Sequence, residues 1–232
     1  MSGHNVTGQR IKGPKNFGIG AGDEVEEPIM NHFIRTGKRF PFQEGKVTEG
    51  LFFFNGFENY TFFLVFTDLQ RDEPLGVVQG QQDDGGFSAV VPLENDRYAA
   101  SRFNFGENYF LPGVSLQING PSVGAYLGGS VLAELVPDAR VKILRANMHS
   151  RKILLYASDT KSKQIGLFFY DEITGEFISS RYLGFSNPFE IAALIQTEDE
   201  GLAVCGTTFL AGRFPRICLF KISKEELRSQ VE

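Results

Sequence analysis

Cysteine is scarce in this chain of 232 residues, which contains only Cys205 and Cys218. Two cysteines are too few for a disulfide framework or for a cysteine-based zinc site. If residues 201–207 and 215–222 form a hairpin that turns near residues 210–212, the two cysteines lie about opposite each other. They are then either two small buried thiols or one disulfide.

Histidine is also scarce, and its three copies are far apart, at His4, His32 and His149. None has a serine, cysteine or carboxylate partner that the spacing would place beside it. A nucleophilic triad and a histidine metal site are therefore not expected. We predict that His149 is a solvated residue of a hairpin turn.

The chain lacks both a basic stripe and a long apolar run. It carries 23 Lys and Arg against 28 Asp and Glu, a net charge of −5, and the cations are scattered. A phosphate-tracking surface is not expected, so we predict no nucleic-acid partner. No run approaches the roughly 20 apolar residues of a membrane helix, and residues 1–24 lack the apolar core of a signal peptide. We predict no membrane-spanning segment. The location is cytoplasmic, or extracytoplasmic if a signal segment has been removed.

Acidic and glycine-rich clusters are present, but none has the pattern of a cofactor site. Residues 81–86, 93–97 and 197–201 offer the oxygens that calcium prefers, yet they lack the alternating ligands and the distal Glu of a calcium loop. Hairpin turns select the same residue types. Residues 17–22 (FGIGAG) follow no strand and open no βαβ unit, so a dinucleotide loop is not expected. We predict no metal and no cofactor.

Short runs of Phe, Val, Ile, Leu and Tyr, broken by Gly, Asn, Asp and Pro, fill the chain from Pro28 onward. No sustained helical periodicity occurs before Ser223, so residues 28–223 are predicted to form an all-β domain. Residues 1–27 are rich in Gly, Lys and Asn without periodicity and are predicted to be a flexible arm. Residues 224–232 are predicted to be a short helix or tail.

Pairs of apolar strands recur along the chain with a period of about fifty residues. The first strands of the pairs are residues 50–56, 97–103, 152–158 and 201–207, and the second strands are residues 62–69, 109–117, 165–172 and 217–223. Two further strands are predicted before the second pair, at residues 75–80 and 87–93, and two before the fourth pair, at residues 176–184 and 189–196. The third unit also contains an insertion, residues 128–139.

A four-stranded unit repeated at this period is typical of a β-propeller, in which neighbouring blades cover each other's faces. We therefore predict a β-propeller-like domain with about four visible four-stranded blades. The fourth blade stops after its third strand, and residues 28–37 are the candidate to complete it by joining the chain ends. The alternative is that the chain is part of a larger propeller, completed by another copy or by residues absent from this sequence.

Residues 191–223 show an apolar strand, a T-x-D-containing turn, a strand ending in Gly-Thr-Thr and a strand ending in Lys beside an apolar residue. This segment, roughly a seventh of the chain, resembles the repeats of bacterial extracytoplasmic β-propeller proteins, many from Bacteroidota. The second unit departs from that pattern, with ASRF in place of CGTT. The resemblance implies a bacterial propeller but no particular activity, because such propellers serve as binding, scaffold and enzyme domains.

The motif Asn-x-x-Glu-Asn-Tyr occurs twice, at residues 55–60 and 104–109, each time between two paired strands. Aromatic rings beside amides and carboxylates suit a sugar ring or a peptide. The candidate ligand-binding residues are Phe57, Glu58, Asn59, Tyr60, Phe105, Glu107, Asn108 and Tyr109. The alternative is that the motif is inherited framework, whose Tyr starts a strand and packs inward.

The sequence favours a non-catalytic binding or scaffold protein that recognises a protein or a glycan through the loop face of the propeller. The rival is a glycan-active hydrolase or lyase that uses loop carboxylates, although no carboxylate pair and no catalytic residue is singled out. If the doubled motif is the recognition surface, Asn59 and Asn108 are exposed, and replacing them by Ala leaves stability nearly unchanged. Partner identity and oligomeric state stay open.

Overall fold

The structure is a computed structural model. It describes residues 17–18, 24–25, 31–33, 39–41, 44–48, 51–58, 61–68, 76–79, 85–116, 120–123, 127–185, 187–210 and 214–231. These residues form twenty strands and one helix, and the helix follows the last strand. Among the strand pairs whose register is described, pairing is antiparallel except between the strands Gly76–Gln79 and Gly120–Val123, which run parallel. The predicted all-β class is confirmed.

The first compact unit comprises Met1–Phe87, Glu94–Arg97 and Ser115–Gly128. It contains two short ladders, β1 (Phe17–Gly18) with β2 (Glu24–Val25) and β3 (Asn31–Phe33) with β4 (Arg39–Pro41). The first sheet, in the order β12-β8-β7-β6-β5, consists of β5 (Glu44–Thr48), β6 (Leu51–Glu58), β7 (Thr61–Thr67), β8 (Gly76–Gln79) and β12 (Gly120–Val123). Phe53, Leu64 and Phe66 of this sheet are buried.

The second compact unit comprises Ser88–Leu93, Tyr98–Val114 and Gly129–Glu232. The second sheet, most of which lies in this unit, contains β9 (Gly85–Pro92), β10 (Arg97–Asn104), β11 (Glu107–Ser115) and β13 (Ser130–Val131). The third sheet contains β14 (Val141–Met148), β15 (Arg151–Asp159), β16 (Ile165–Asp171) and β17 (Phe177–Leu183). The last sheet contains β18 (Phe189–Gln196), β19 (Leu202–Leu210) and β20 (Phe214–Ile222), and the helix α1 (Lys224–Val231) follows it.

Each sheet is built mainly from strands that are consecutive in the sequence and joined by tight hairpins. Three of the connections are two-residue turns with both residues at positive φ, namely Asn95-Asp96, Phe105-Gly106 and His149-Ser150. This left-handed backbone matches the twist of the flanking strands, and Asn, Asp and Gly adopt it most readily. Consecutive hairpins of this kind give the up-and-down strand order of the sheets.

The third sheet is buried on both of its faces. On one face, Tyr156 and Phe168 pack against the second sheet, and the Tyr156 ring stacks on Phe110 with centroids 4.4 Å apart. On the other face, Leu155 and Phe169 belong to the cluster shared with the last sheet. Because successive residues of a strand point to opposite faces, the centre of such a strand is apolar on both faces, as residues 153–157 of β15 and 165–170 of β16 are.

The last sheet is buried on only one face. Leu202, Val204 and Ile222 point toward the third sheet and join its apolar cluster. The register pairs Cys205 with Leu219 and Thr207 with Ile217, so these residues lie on the opposite face. Leu219 and Ile217 are exposed there, and we call this side the outward face of the last sheet.

Helix α1 begins with a capping box and covers one end of the cluster between the third and last sheets. The Ser223 hydroxyl accepts a hydrogen bond from the Glu226 amide, and the Glu226 carboxylate accepts one from the Ser223 amide. Leu227 and Val231 are fully buried in the cluster. A helix therefore stands where the sequence predicts a short helix or tail.

Two sequence-based predictions concern the N-terminal part of the chain. The region predicted to be an arm contains the short β1–β2 ladder. Residues 28–37 were predicted to complete the last sheet, but β3, which lies in this range, pairs with β4. The described part of the last sheet has three strands, and the joining of the chain ends stays a prediction. No helix in the described part of the chain is long and apolar enough to cross a membrane.

Candidate functional site

The second copy of the doubled motif lies at the tip of the β10–β11 hairpin. Phe105 and Gly106 form its two-residue turn, with φ values of 46° and 83°. The Phe105 side chain is 65% exposed, although the turn is attached to a sheet whose core is fully buried. A large aromatic residue in the left-handed region is an outlier, because most such positions are Gly, Asn or Asp. The tip therefore presents an exposed aromatic ring on a residue whose left-handed backbone conformation disfavours aromatic side chains.

Polar side chains surround the base of this tip in a fixed arrangement. The Tyr109 hydroxyl donates to Oε2 of Glu107 at 2.5 Å, and the Arg102 guanidinium lies 4.0 Å from the centre of the Tyr109 ring. The hydrogen bond to Glu107 raises the pKa of Tyr109, as does partial burial. A cation over an aromatic face and a carboxylate on its hydroxyl hold this ring in one orientation.

Asn108, in the middle of the motif, belongs to the framework. It is 2% exposed, its Nδ2 donates to the Val136 carbonyl at 2.9 Å, and its Oδ1 accepts from the Ala139 amide at 2.7 Å. Its backbone carbonyl also accepts from the Leu132 amide at 2.9 Å. The expectation that Asn108 is exposed is wrong, because its amide satisfies backbone groups of the inserted segment 128–139.

The C-terminal end of the same insertion also reaches the hairpin tip. The Asp138 side chain, at a residue with φ of 49°, accepts a hydrogen bond from the Gly106 amide at 3.1 Å. Asn108 and Asp138 thus both tie segment 128–139 to the hairpin. This segment holds the β10–β11 tip in place.

The first copy of the motif has a different place relative to its strands. Phe57 and Glu58 end β6, and Glu58 pairs with Thr61 of β7, whereas the equivalent Glu107 begins β11. The side chains of Phe57 and Glu58, together with Asn59 and Tyr60, lie outside the described residues. The sequence repeat therefore does not produce the same strand register in the two hairpins.

The acidic turn at residues 197–201 is held by its own neighbours. Asp199 accepts from Nζ of Lys221 at 2.6 Å, from the Thr197 hydroxyl and from the Gly201 amide. These donors, the Lys221 ammonium first, lower the pKa of Asp199. Within the described residues, no group of three or more His, Cys, Asp or Glu is placed to hold a metal ion.

His149 lies in a hairpin turn, as predicted, but it is half-buried and has a partner. Its Nε2 is 3.1 Å from the Lys224 carbonyl, at the start of α1. Arg151, after the same turn, donates to the Val231 carbonyl at 2.5 Å. The β14–β15 turn thus holds both ends of α1, and His149 is part of that contact rather than a freely solvated residue.

The two cysteines are free thiols. The predicted hairpin forms, but its register pairs Cys205 with Leu219 and Cys218 with Gly206. The expected opposition of the two cysteines is therefore off by one residue, which places their side chains on opposite faces of the sheet. Burial raises the pKa of Cys218, and the neighbouring Cys205 adds to the effect.

Sequence reasoning missed the residues that support the hairpin tip. Arg102, Val136, Asp138 and Ala139 had no role in the predicted site. Val136 and Ala139 contribute backbone groups, so their side chains carry no signal of the contact. The paired glycines Gly128 and Gly129, with φ of 67° and 113°, are the one local sign that the insertion turns back toward the hairpin.

Comparison with known proteins does not identify this site. No protein-family model matches the chain, and no curated protein matches it.

Proposed function

We propose that the protein is a non-catalytic binding or scaffold protein with a β-propeller-like architecture, which recognises a protein or a glycan through a loop face that includes Phe105. The proposal combines two features. One is the stacking of successive antiparallel sheets, and the other is the chemistry of the β10–β11 tip.

The stacking of the sheets supports the propeller. The third sheet packs one face on the second sheet and the other on the last sheet, in the order of the sequence. Blades of a propeller cover each other in this sequential manner, whereas a two-sheet sandwich leaves each sheet with one outer face. A crystal structure with the sheets arranged around a common axis is the expected outcome. Two stacked sheets would contradict it.

The exposed Phe105 carries the functional part of the proposal. A residue held in the left-handed region costs of order 1–3 kcal/mol and persists where the surrounding structure imposes it, often at functional sites. Burial of the Phe105 ring does not offset the free-energy cost of this backbone conformation, because the ring is mostly in solvent. The exposed ring contributes little to the stability of the fold. Recognition of a ligand by this flat apolar surface explains why an aromatic residue is present here.

The surroundings of Phe105 suit a ligand with both apolar and polar groups. Glu107 is exposed beside the tip and offers a carboxylate, while Tyr109 is half-buried and fixed by Arg102. The backbone behind them is fixed by Asn108 and Asp138. A rigid tip loses little conformational freedom on binding, which favours affinity.

The replacement Phe105→Asn tests this proposal, because Asn suits the left-handed turn better than Phe. We expect the variant to be as stable as the wild type or more stable, and to lose ligands that the wild type binds. Both proteins are applied to a printed glycan array and to an immobilised peptide array. Ile173→Asn, which changes an isoleucine 70% exposed in the β16–β17 turn, is the matched control.

The features that the wild type and the two variants bind on the arrays decide whether the tip is a recognition surface. Features bound by the wild type and by Ile173→Asn but lost by Phe105→Asn support recognition through the tip. If Phe105→Asn keeps every feature, or if the wild type binds none, the tip is not a recognition surface for these classes of ligand, and the proposal is wrong.

A further inference from the structure

The last sheet differs from its neighbour in strand number. The third sheet has four strands, and its fourth strand β17 pairs along β16 from Leu183 to Phe177. The described last sheet ends at β20, and the chain then turns into α1. One edge of β20 pairs with β19 over nine residue pairs, while its other edge has no strand beside it among the described strands.

β20 is long and apolar for an edge strand. Ile217 is 86% exposed, Leu219 is 69% exposed and Phe214 is 66% exposed. Exposed edges of soluble proteins are usually short or interrupted by several charges, because they otherwise pair with other chains. β20 has Pro215 near its start and two cations, Arg216 and Lys221, but an apolar centre.

We propose that the edge of β20 that has no neighbour among the described strands binds an extended segment of a partner protein, which adds a fourth strand to the last sheet. The segment has apolar residues at alternate positions and a carboxylate that faces Arg216. Backbone hydrogen bonds provide affinity in this mode of recognition, and alternate side chains provide specificity. The outward face of the last sheet, with Ile217 and Leu219, receives the apolar side chains of the added strand.

The charges of β20 identify the chemistry of the partner. Lys221 pairs with Asp199, whereas Arg216 makes no ion pair within the part of the chain that the structure describes. Two copies of β20 would bring two Arg216 side chains to one junction with no carboxylate from either strand to pair with them, and like charges oppose strand pairing. An acidic residue opposite Arg216 removes this repulsion, so a partner segment fits better than a second copy.

A fluorescent nine-residue peptide, Ser-Thr-Thr-Val-Thr-Val-Glu-Thr-Ser, tests the proposal. In antiparallel register its glutamate faces Arg216 and its valines face Ile217 and Leu219. The matched control peptide has Lys in place of Glu. We expect the full-length protein to bind the Glu peptide about fivefold more tightly than the Lys peptide, the effect of exchanging an attractive cross-strand charge pair for a repulsive one.

Protein variants reverse or remove this preference. Arg216→Glu is expected to bind the Lys peptide more tightly than the Glu peptide. Ile217→Asp is expected to weaken both peptides more than tenfold, whereas Ile173→Asp, which changes an isoleucine 70% exposed in the β16–β17 turn, leaves both unchanged. Phe105→Asn also leaves both unchanged, so this test is separate from that of the hairpin tip. Circular dichroism checks that each variant is folded.

Three outcomes would overturn the proposal. They are no binding of the Glu peptide, equal binding of both peptides, and a charge preference that Arg216→Glu does not reverse. Light scattering on the same samples shows whether a second copy occupies the edge instead. Slower hydrogen exchange of the β20 amides in the presence of the Glu peptide is the expected direct sign of strand addition.

Discussion

The third and last sheets share one apolar cluster, yet they bury their residues very differently. In the third sheet the central residues of β15 and β16 are buried on both faces. In the last sheet, β19 alternates between buried and half-buried residues, and β20 is largely exposed. The difference shows that an apolar strand in this chain does not imply a buried one. What decides burial is whether another sheet lies on each face.

The largest expected effect contrasts the same substitution in the two sheets. Leu155→Ala removes a fully buried side chain between the third and last sheets and is expected to cost about 2–5 kcal/mol of unfolding free energy. Leu219→Ala, on the outward face, is expected to change it by less than about 0.5 kcal/mol. Urea denaturation of both variants measures the contrast. Similar losses of unfolding free energy in the two variants would mean that the outward face of the last sheet is covered in solution.

The second prediction compares a buried and an exposed residue that are adjacent in the doubled motif. Asn108→Ala leaves the Val136 carbonyl and the Ala139 amide without their partner and is expected to cost about 1–3 kcal/mol. Glu107→Ala, at an exposed neighbour, is the control and is expected to stay near the wild type. A stable Asn108→Ala protein would restore the interpretation of Asn108 as a surface residue.

The third prediction concerns the helix that closes the space between the two sheets. Ser223→Ala removes the N-cap of α1 and is expected to cost about 1 kcal/mol. Ser229→Ala removes a hydroxyl at an exposed position within the same helix and is expected to be neutral. Thermal melting followed by circular dichroism compares the two. Equal melting temperatures would show that α1 adds little to the fold.

The smallest effect is a dependence on pH. The Ser223 amide, with help from Arg181, lowers the pKa of Glu226 from its usual 4.5. A carboxylate with a lowered pKa stabilises the fold fully above its usual pKa, and this contribution disappears as the pH falls through the lowered value. The difference in melting temperature between wild type and Glu226→Gln should therefore shrink from about pH 7 to about pH 3. A constant difference would contradict the assigned contacts.

Local sequence patterns predict much of this fold. The strands predicted at residues 97–103, 152–158, 165–172 and 201–207 all correspond to strands of the structure. The reason is physical, since β-branched and aromatic runs and two-residue turns such as Asn95-Asp96 act over a few residues. The position of His149 in a turn follows from the same signals. The propeller arrangement stays a prediction.

The features that the sequence could not predict depend on contacts with residues far away in the sequence or on the register of strand pairing. The burial of Asn108 results from groups 28 and 31 residues away, which no local pattern reveals. The offset of Cys205 and Cys218 results from a shift of one residue in the hairpin register, and such a shift moves a side chain to the other face. The second copy of the motif lies on a hairpin, as predicted, but the sequence could not separate its framework residues from its exposed ones.

The aromatic stack between the second and third sheets gives the molecule an optical signal of its own. The chain has no tryptophan and seven tyrosines, so its near-ultraviolet absorption comes mainly from phenols. Burial raises the pKa of Tyr156 well above its usual 10.0 and that of Tyr170 to about 12, and the Tyr156 hydroxyl donates to the Leu111 carbonyl at 3.0 Å. In an alkaline titration these two phenols ionise after the exposed ones. The late absorbance change therefore reports, without any label, when the second and third sheets separate.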